Sequence, residues 1–428
     1  MPRNEILGQG ITLAIAPVSV SPRRSVAVVG TYLPRKCGIA TFTSDLVGAL
    51  AAEARYTDVM AVAVNDVPDG YQYPPEVRFE IDQHNLASYG LAAQYLNESR
   101  VDVTCIQHEF GIFGGIDGEY ILEFIADLAM PVVTTLHTVL KDPSPSQRAV
   151  LGNLQRLSAR LVVMSQTAKR FLQEVYNVPQ DKIEVIPHGV PNVPLINPNF
   201  YKRLLGLERK RVVLSFGLLS PSKGIETMIR ALPSIIRKQP DVLYFVLGGT
   251  HPHVKMSQGE AYRLQLRQLA ENLGVAKYVV FENRFVNLGE LCDFLGASDL
   301  YVTPYPHAEQ IVSGTLAYAM SAGAATVSTP YWYAQEMLAD GRGRIVPFED
   351  PEALAREVID LLEDDAEREA MRRRAYHYAR RAIWSEVARR YLELFQAVRY
   401  RHALLRGSPP AGSSLEDEVA PQMPLPAA

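Results

Sequence analysis

What most constrains this 428-residue chain is a rhythm of short apolar runs, each followed by a loop and then a helical segment. SVAVVG, beginning at Ser25, leads through TYLPRKCGIA into TFTSDLVGALAAEA. The same order returns at DVMAVAV, at DVTCIQHEF followed by GIFGGIDGEYILEFIADLA, and at PVVTTLH, RLVVMS and KIEVIPHGV. Continuous β-branched strands alternating with helices predict a parallel sheet covered on both faces. A polar, proline-containing stretch from Pro191 to Lys210 interrupts the rhythm. It then resumes at RVVLSFG, VLYFVLGG, KYVVFEN, LYVTPY, AATVSTP and RIVPF. The expected fold class is therefore α/β, with two doubly wound parallel sheets in sequence, over residues 25–205 and 206–383. A chain of this length exceeds what one core usually supports. Ligands of such sheets sit beyond the carboxyl ends of the strands, so the chemistry is expected in the cleft between the halves.

The flanks are simpler. Residues 1–24 read as a loose arm, because Pro17 interrupts the apolar patch from Ile11 to Val20 and Glu5 precedes it. The helical stretch 384–405 closes the fold, and 406–428 is proline-rich, small and acidic, the composition of a disordered tail. A net charge of -4 gives no reason to expect a nucleic-acid partner. No apolar run reaches the ~20 residues of a membrane span. Cys37, Cys105 and Cys292 are odd in number and far apart, which favours free thiols in a reducing cytoplasm.

Chemistry-bearing residues gather at strand ends. Between Pro304 and Leu338 two polar clusters flank a small-residue helical segment: Glu309, Gln310, Ser313 and Gly314, then Tyr331 to Glu336. Glu309 and Glu336 are each a cap or surface charge if taken singly, and a hydroxyl-binding set if taken together. In GLLSPSKG the lysine Lys223 precedes a helix start, which makes either an anion site or a solvated turn. Gly-Lys-Ser/Thr order is absent, so this is not a P-loop. Gly38 stands in the loop after the first strand, where a missing side chain lets backbone approach a ligand. His108 and Glu109 end another strand beside the glycines of HEFGIFGG, a loop with room for a sugar or phosphate. His137 and His188 end two more. The histidines of GTHPH have no acid or cysteine at ligand spacing, and no metal site is expected.

In residues 25–400 the chain resembles the retaining GT-B glycosyltransferases of the glycosyl transferases group 1 (family 4) type. The resemblance rests on FGLLSPSKGIETMIRAL, VLGG, LYVTPY, LAYAMSAGAATVSTP, QEML, GRIVPFEDPEALAREVIDLLED and IWSEVARRYLELF, in that order. It implies two Rossmann-like domains facing across a cleft, the first on the acceptor side and the second binding the donor. It also implies that the helix from Trp384 crosses back to the first domain. The implied donor is a nucleotide sugar, UDP- or GDP-linked, with a carbohydrate or other hydroxyl acceptor and no further cofactor. Lys223 matches the lysine on the donor phosphates, Gly38 the glycine loop facing the donor, and His137 a histidine at the reaction centre. Glu336 matches a glutamate in the turn after the donor helix, with Ser313 and Gly314 at that helix's start. His108, Glu109 and His188 remain acceptor-side candidates.

The motif departs from the family at three positions. Leu218 stands where the family has arginine, and counting back from Ala319 and Met320 puts Gln310 and Tyr318 where it has two glutamates. Either Gln310 fills the first glutamate's role, or a one-residue insertion gives that role to Glu309. Tyr318 can stack on a ribose or bond to it. The resemblance thus implies a hexosyltransferase with a variant donor site. A phosphorylase or epimerase on the same fold, and a catalytically silent sugar-binding protein, are the competing readings.

Overall fold

The computed structural model describes residues 24–53 and 57–407; the expected arm, and all but the first two residues of the expected tail, lie outside these. Two all-parallel sheets follow one another. The first holds β1 (Arg24–Gly30), β2 (Thr57–Asn65), β3 (Val77–Asp82), β4 (Val103–His108), β5 (Val132–Leu136), β6 (Arg160–Val163) and β7 (Ile183–Val185), in the order 3-2-1-4-5-6-7. The second holds β8 (Arg211–Phe216), β9 (Val242–Leu247), β10 (Val279–Glu282), β11 (Leu300–Thr303), β12 (Ala325–Ser328) and β13 (Arg344–Ile345), in the order 10-9-8-11-12-13. The two domains expected from the rhythm are both there.

The central strands are apolar because each sheet is covered on both faces. All six residues of β4 are buried, as are the last six of β1. Separate apolar clusters cover the two sides of each sheet. Strand order reverses between β1 and β4 and again between β8 and β11, so each domain has a switch point where the loops part. The two switch points face each other.

Two crossings join the domains. The chain leaves the first at His188 to Val190 and returns at Ile383 to Trp384. These segments pair as an isolated parallel bridge, with Val190 N–H donating to Ala382 C=O at 2.8 Å and Trp384 N–H to Val190 C=O at 3.0 Å. Helix Trp384–Leu405 then packs along helix Gly38–Glu53, burying Val387, Ala388, Tyr391 and Phe395 in the first domain's core. Tyr391 OH bonds Thr135 Oγ1 at 2.8 Å. Helix Pro198–Leu205 packs against helix Leu288–Ala297, and Lys202 Nζ meets the buried Asp299 carboxylate at 2.6 Å. It therefore travels with the second sheet, ahead of the division expected at 205/206.

Candidate functional site

A cleft of about 450 Å³ lies between the switch points. That is within the usual range for small-molecule sites. The loops after β1, β4, β5, β8, β9, β10 and β11 all contribute to it, because carboxyl strand ends are where a parallel sheet releases its chain.

On the second domain's wall, the turn Pro221–Lys223 follows β8, and Gly224 starts helix Ile225–Lys238. Gly224 has φ +60°, and a Cβ there would come within 2.0 Å of Pro304 C=O, so only glycine lets this loop pack on the one after β11. Lys223 Nζ donates to Tyr305 OH at 2.9 Å, and that hydroxyl lies 3.1 Å from Thr315 Oγ1. Burial pushes the Tyr305 phenol up most, but the Lys223 charge and the hydrogen bonds with Lys223, Thr315 and Ser313 together outweigh it and the net direction is down. Ser313 caps helix Gly314–Ser321 by accepting from Leu316 N–H at 3.3 Å. Leu218, Gln310, Ser313, Gly314 and Tyr318 line the cleft beside them. Two helix starts, an ammonium and several hydroxyls thus surround one space, an arrangement suited to an anion.

The first domain's wall is different in kind. Gly38, at the start of helix Gly38–Glu53, lines the cleft, and a Cβ there would meet no atom within 4 Å. The packing around it does not require glycine at this position. His137 follows β5, with Nε2 3.0 Å from Gln107 Oε1 and its ring edge-on to Phe42 at 4.8 Å. His188 meets Phe42 at 5.0 Å, and its Nδ1 donates to Gly189 C=O at 2.8 Å. Burial holds His137 down at about 3 and His188 at about 4, so both rings are neutral near pH 7. Glu109 accepts from Thr138 Oγ1 at 2.5 Å and from Phe110 N–H at 3.0 Å; burial pushes its carboxyl up against these two bonds.

Three predicted site residues lie elsewhere. Glu309 is exposed and does not line the cleft, whereas Gln310 does, its Nε2 donating to Val312 C=O at 2.6 Å. Glu336 spans the domains outside the cleft: its carboxylate accepts from Gln166 N–H at 2.9 Å and Thr167 N–H at 3.0 Å, capping helix Gln166–Tyr176. His108 is fully buried beneath the cleft floor against Phe110 and Phe113, with neither ring nitrogen bonded. The glycine loop after it does not open to a ligand either. A Cβ on Gly114 would strike Gln83 C=O at 2.0 Å, so this glycine serves the loop's own packing. Tyr318 lines the cleft, but its hydroxyl donates to Asp45 Oδ2 of the first domain at 2.8 Å.

Sequence reasoning passed over Tyr305, Thr315, Thr138 and Phe42, all of which line the cleft. Only Tyr305 carries a signal in the sequence, as the last residue of LYVTPY at a strand end. Among the described residues no group of three or more histidines, cysteines or acids is placed to hold a metal. No helix among them is long and apolar enough to cross a membrane.

Two switch-point loop sets facing across a cleft, with a helix returning to the first domain, define the GT-B class of glycosyltransferases. Family models agree: residues 37–192 match Glycosyltransferase Family 4 and residues 199–378 match Glycosyl transferases group 1, so the chain belongs to these glycosyltransferases. It is 29% identical over 293 residues to the D-inositol 3-phosphate glycosyltransferase of Thermobispora bispora, covering 62% of this chain and 65% of that protein. It is likewise 29% identical over 284 residues to the phosphatidyl-myo-inositol mannosyltransferase of Mycolicibacterium smegmatis, covering 63% and 65%. In both cases the match spans just under two thirds of the relative. Among solved structures, the sucrose-phosphate synthase of Thermosynechococcus elongatus superposes with a TM-score of 0.72 at 17% identity, over 90% of this chain and 100% of that one. Anabaena HepE in complex with UDP and glucose superposes at 0.70 and 17%, over 87% and 99%.

Proposed function

We propose that this chain transfers a hexosyl group, with retention of anomeric configuration, from a nucleotide diphosphate sugar to a hydroxyl acceptor. The observation that carries this reading is the Lys223 ammonium beside two helix starts on one wall of an interdomain cleft. As the glycosidic bond stretches, negative charge gathers on the leaving diphosphate. Donors fixed in advance around that charge stabilise it without reorganising. Lys223, the start of helix Gly314–Ser321 and the hydroxyls of Ser313 and Thr315 are such donors, and no metal or other cofactor is invoked. Gly38 lets the first domain's backbone come close to the donor. Gln310 and the neutral His137 bond sugar hydroxyls from opposite walls, and closure of the domains keeps water from the bond being broken. Retention rests on the family resemblance, and proton NMR of the product's anomeric signal reads it directly.

A thermal-shift screen of UDP-, GDP- and ADP-sugars, followed by release of nucleotide diphosphate with and without acceptor, tests the reading. Tight donors raise the melting temperature by mass action. Acceptor-dependent release supports a transferase, whereas binding without release across all donors refutes it. Lys223→Ala is expected to lower turnover by about 10²- to 10³-fold, the usual cost of one fixed donor at a developing charge. Near-normal turnover removes Lys223 from the role.

A further inference from the structure

The first domain's wall carries a second message. None of its described residues that line the cleft is a lysine or arginine. Its polar groups are hydroxyls, two neutral histidines and one carboxylate, Glu109. Lys36, next to the cleft-lining Cys37 and Gly38, is exposed and stands outside the lining, and the two arginines nearby are occupied. Arg35 is buried behind the loop after β1, bonded to Val64 C=O at 3.1 Å and paired with Asp66 at 3.3 Å. Arg284, on the other domain, pairs with Glu290 at 2.8 Å and Glu282 at 3.5 Å. Lys223 also belongs to the opposite wall.

Resting on the transferase reading above, we infer that the acceptor is an uncharged polyhydroxyl compound, that Glu109 accepts a hydrogen bond from one of its hydroxyls, and that phosphorylated acceptors are excluded. Each Glu109 oxygen already accepts one bond, from Thr138 Oγ1 or Phe110 N–H, and each keeps a lone pair for a further donor. A sugar hydroxyl supplies that donor. A phosphoryl group supplies none when ionised; it sets like charges side by side in a partly desolvated wall that holds no cation to offset them. The carboxylate therefore selects in both directions, binding hydroxyls and repelling anions.

The test uses matched acceptor pairs: glucose with glucose 6-phosphate, fructose with fructose 6-phosphate, and inositol with inositol 3-phosphate. Each is assayed with the full chain and the donors that screen positive. The neutral member of at least one pair is expected to react more than about tenfold faster than its phosphorylated partner, since a site built around one polar group rejects a mismatched ligand strongly. Glu109→Gln keeps the shape and removes the charge. It is expected to raise the acceptor KM several-fold, with a smaller change in kcat, and to narrow the preference for neutral acceptors. Preference of the unaltered protein for a phosphorylated member overturns the inference, as does a Glu109→Gln protein with an unchanged ratio. Ligand-observed NMR of the same pairs, in the presence of UDP and GDP, reads the preference without turnover; stronger binding of the phosphorylated members again overturns it. A protein that neither binds nor consumes any nucleotide sugar instead refutes the transferase reading, and the NMR comparison keeps the two failures apart.

Discussion

The two walls of the cleft are made by the same device, loops released at the carboxyl ends of parallel strands, yet their chemistry is opposed. The second domain presents an ammonium, two helix starts and the hydroxyls of Ser313, Thr315 and Tyr305. The first presents two histidines held neutral and a carboxylate, with the start of helix Gly38–Glu53 beside them to favour an anion. Fold symmetry therefore fixes where a ligand lies but not which half of it is charged. That depends on side chains in a few loop positions, and it suits a ligand pair charged at one end and neutral at the other.

Acid gives the largest expected effect, because it attacks the first wall's neutrality. His108 and His137 are held at about 3 and His188 at about 4, in each case first by burial, against an ordinary value of 6.5. Below pH 6.5 the unfolded chain takes up protons that the folded chain refuses, so stability falls as pH drops from 6.5 towards 4. The slope reaches about 1.4 kcal/mol per pH unit for each histidine. Urea midpoints between pH 7.5 and 4.5 measure it, and a flat profile breaks the claim that this wall is uncharged. Replacing His108, the one of the three outside the cleft, by leucine is expected to make the profile shallower.

Tyr318 sits where the walls meet, and its substitution is next in size. Its hydroxyl donates to Asp45 across the domain boundary. Burial pushes the Asp45 carboxyl up, while the bond from Tyr318 pulls it down. Tyr318→Phe removes that bond and leaves the carboxylate short of a donor, at an expected cost of about 1–3 kcal/mol. The sign with pH is opposite to that of the histidines. A raised carboxyl pKa destabilises the fold where the group is ionised, so the gap between variant and parent is widest near pH 7 and closes on acidification. A gap that grows in acid makes Tyr318 a ligand contact rather than a strut.

Of the thirteen strands among the described residues, twelve are legible in the sequence, most of them because buried parallel strands read as unbroken apolar runs. The exception, β3, is an edge strand whose residues VRFEID alternate between inward positions, part-buried at Val77 and Phe79 and fully buried at Ile81, and exposed ones, so no run marks it. The cleft itself was legible through strand ends and glycines, which bring Gly38, His137, His188, Lys223 and Ser313 together. Partner choice was not. Glu336 and Tyr318 both look like ligand contacts from position alone, and each also engages the opposite domain, a pairing about 170 and 273 residues distant in the chain. His108 ends a strand as His137 does, but successive residues of a strand point to opposite faces. Being one residue from Gln107, which bonds His137, sends it to the other side of the sheet.

Which of two neighbouring loop residues faces the cleft decides between Glu309 and Gln310, the smallest effect and the sharpest test of the second wall. A carboxylate is the better hydroxyl acceptor, so chemistry alone favours Glu309. Geometry favours Gln310, which lines the cleft while Glu309 is exposed to solvent. Its amide nitrogen donates to Val312 C=O, which leaves Oε1 as the acceptor for a sugar hydroxyl. At equal folded fraction, Gln310→Ala is expected to lower turnover about tenfold, the worth of one or two neutral hydrogen bonds. Glu309→Ala should fall within the near-neutral range of exposed substitutions. Gln310→Glu then asks whether the wall tolerates a carboxylate beside the expected diphosphate. Near-normal turnover means Lys223 dominates the field there, while a sharp loss means the amide was selected for its lack of charge. If Glu309→Ala is the damaging change instead, the loop from Pro306 to Val312 must rearrange when a donor binds, and the second wall is less preformed than the first.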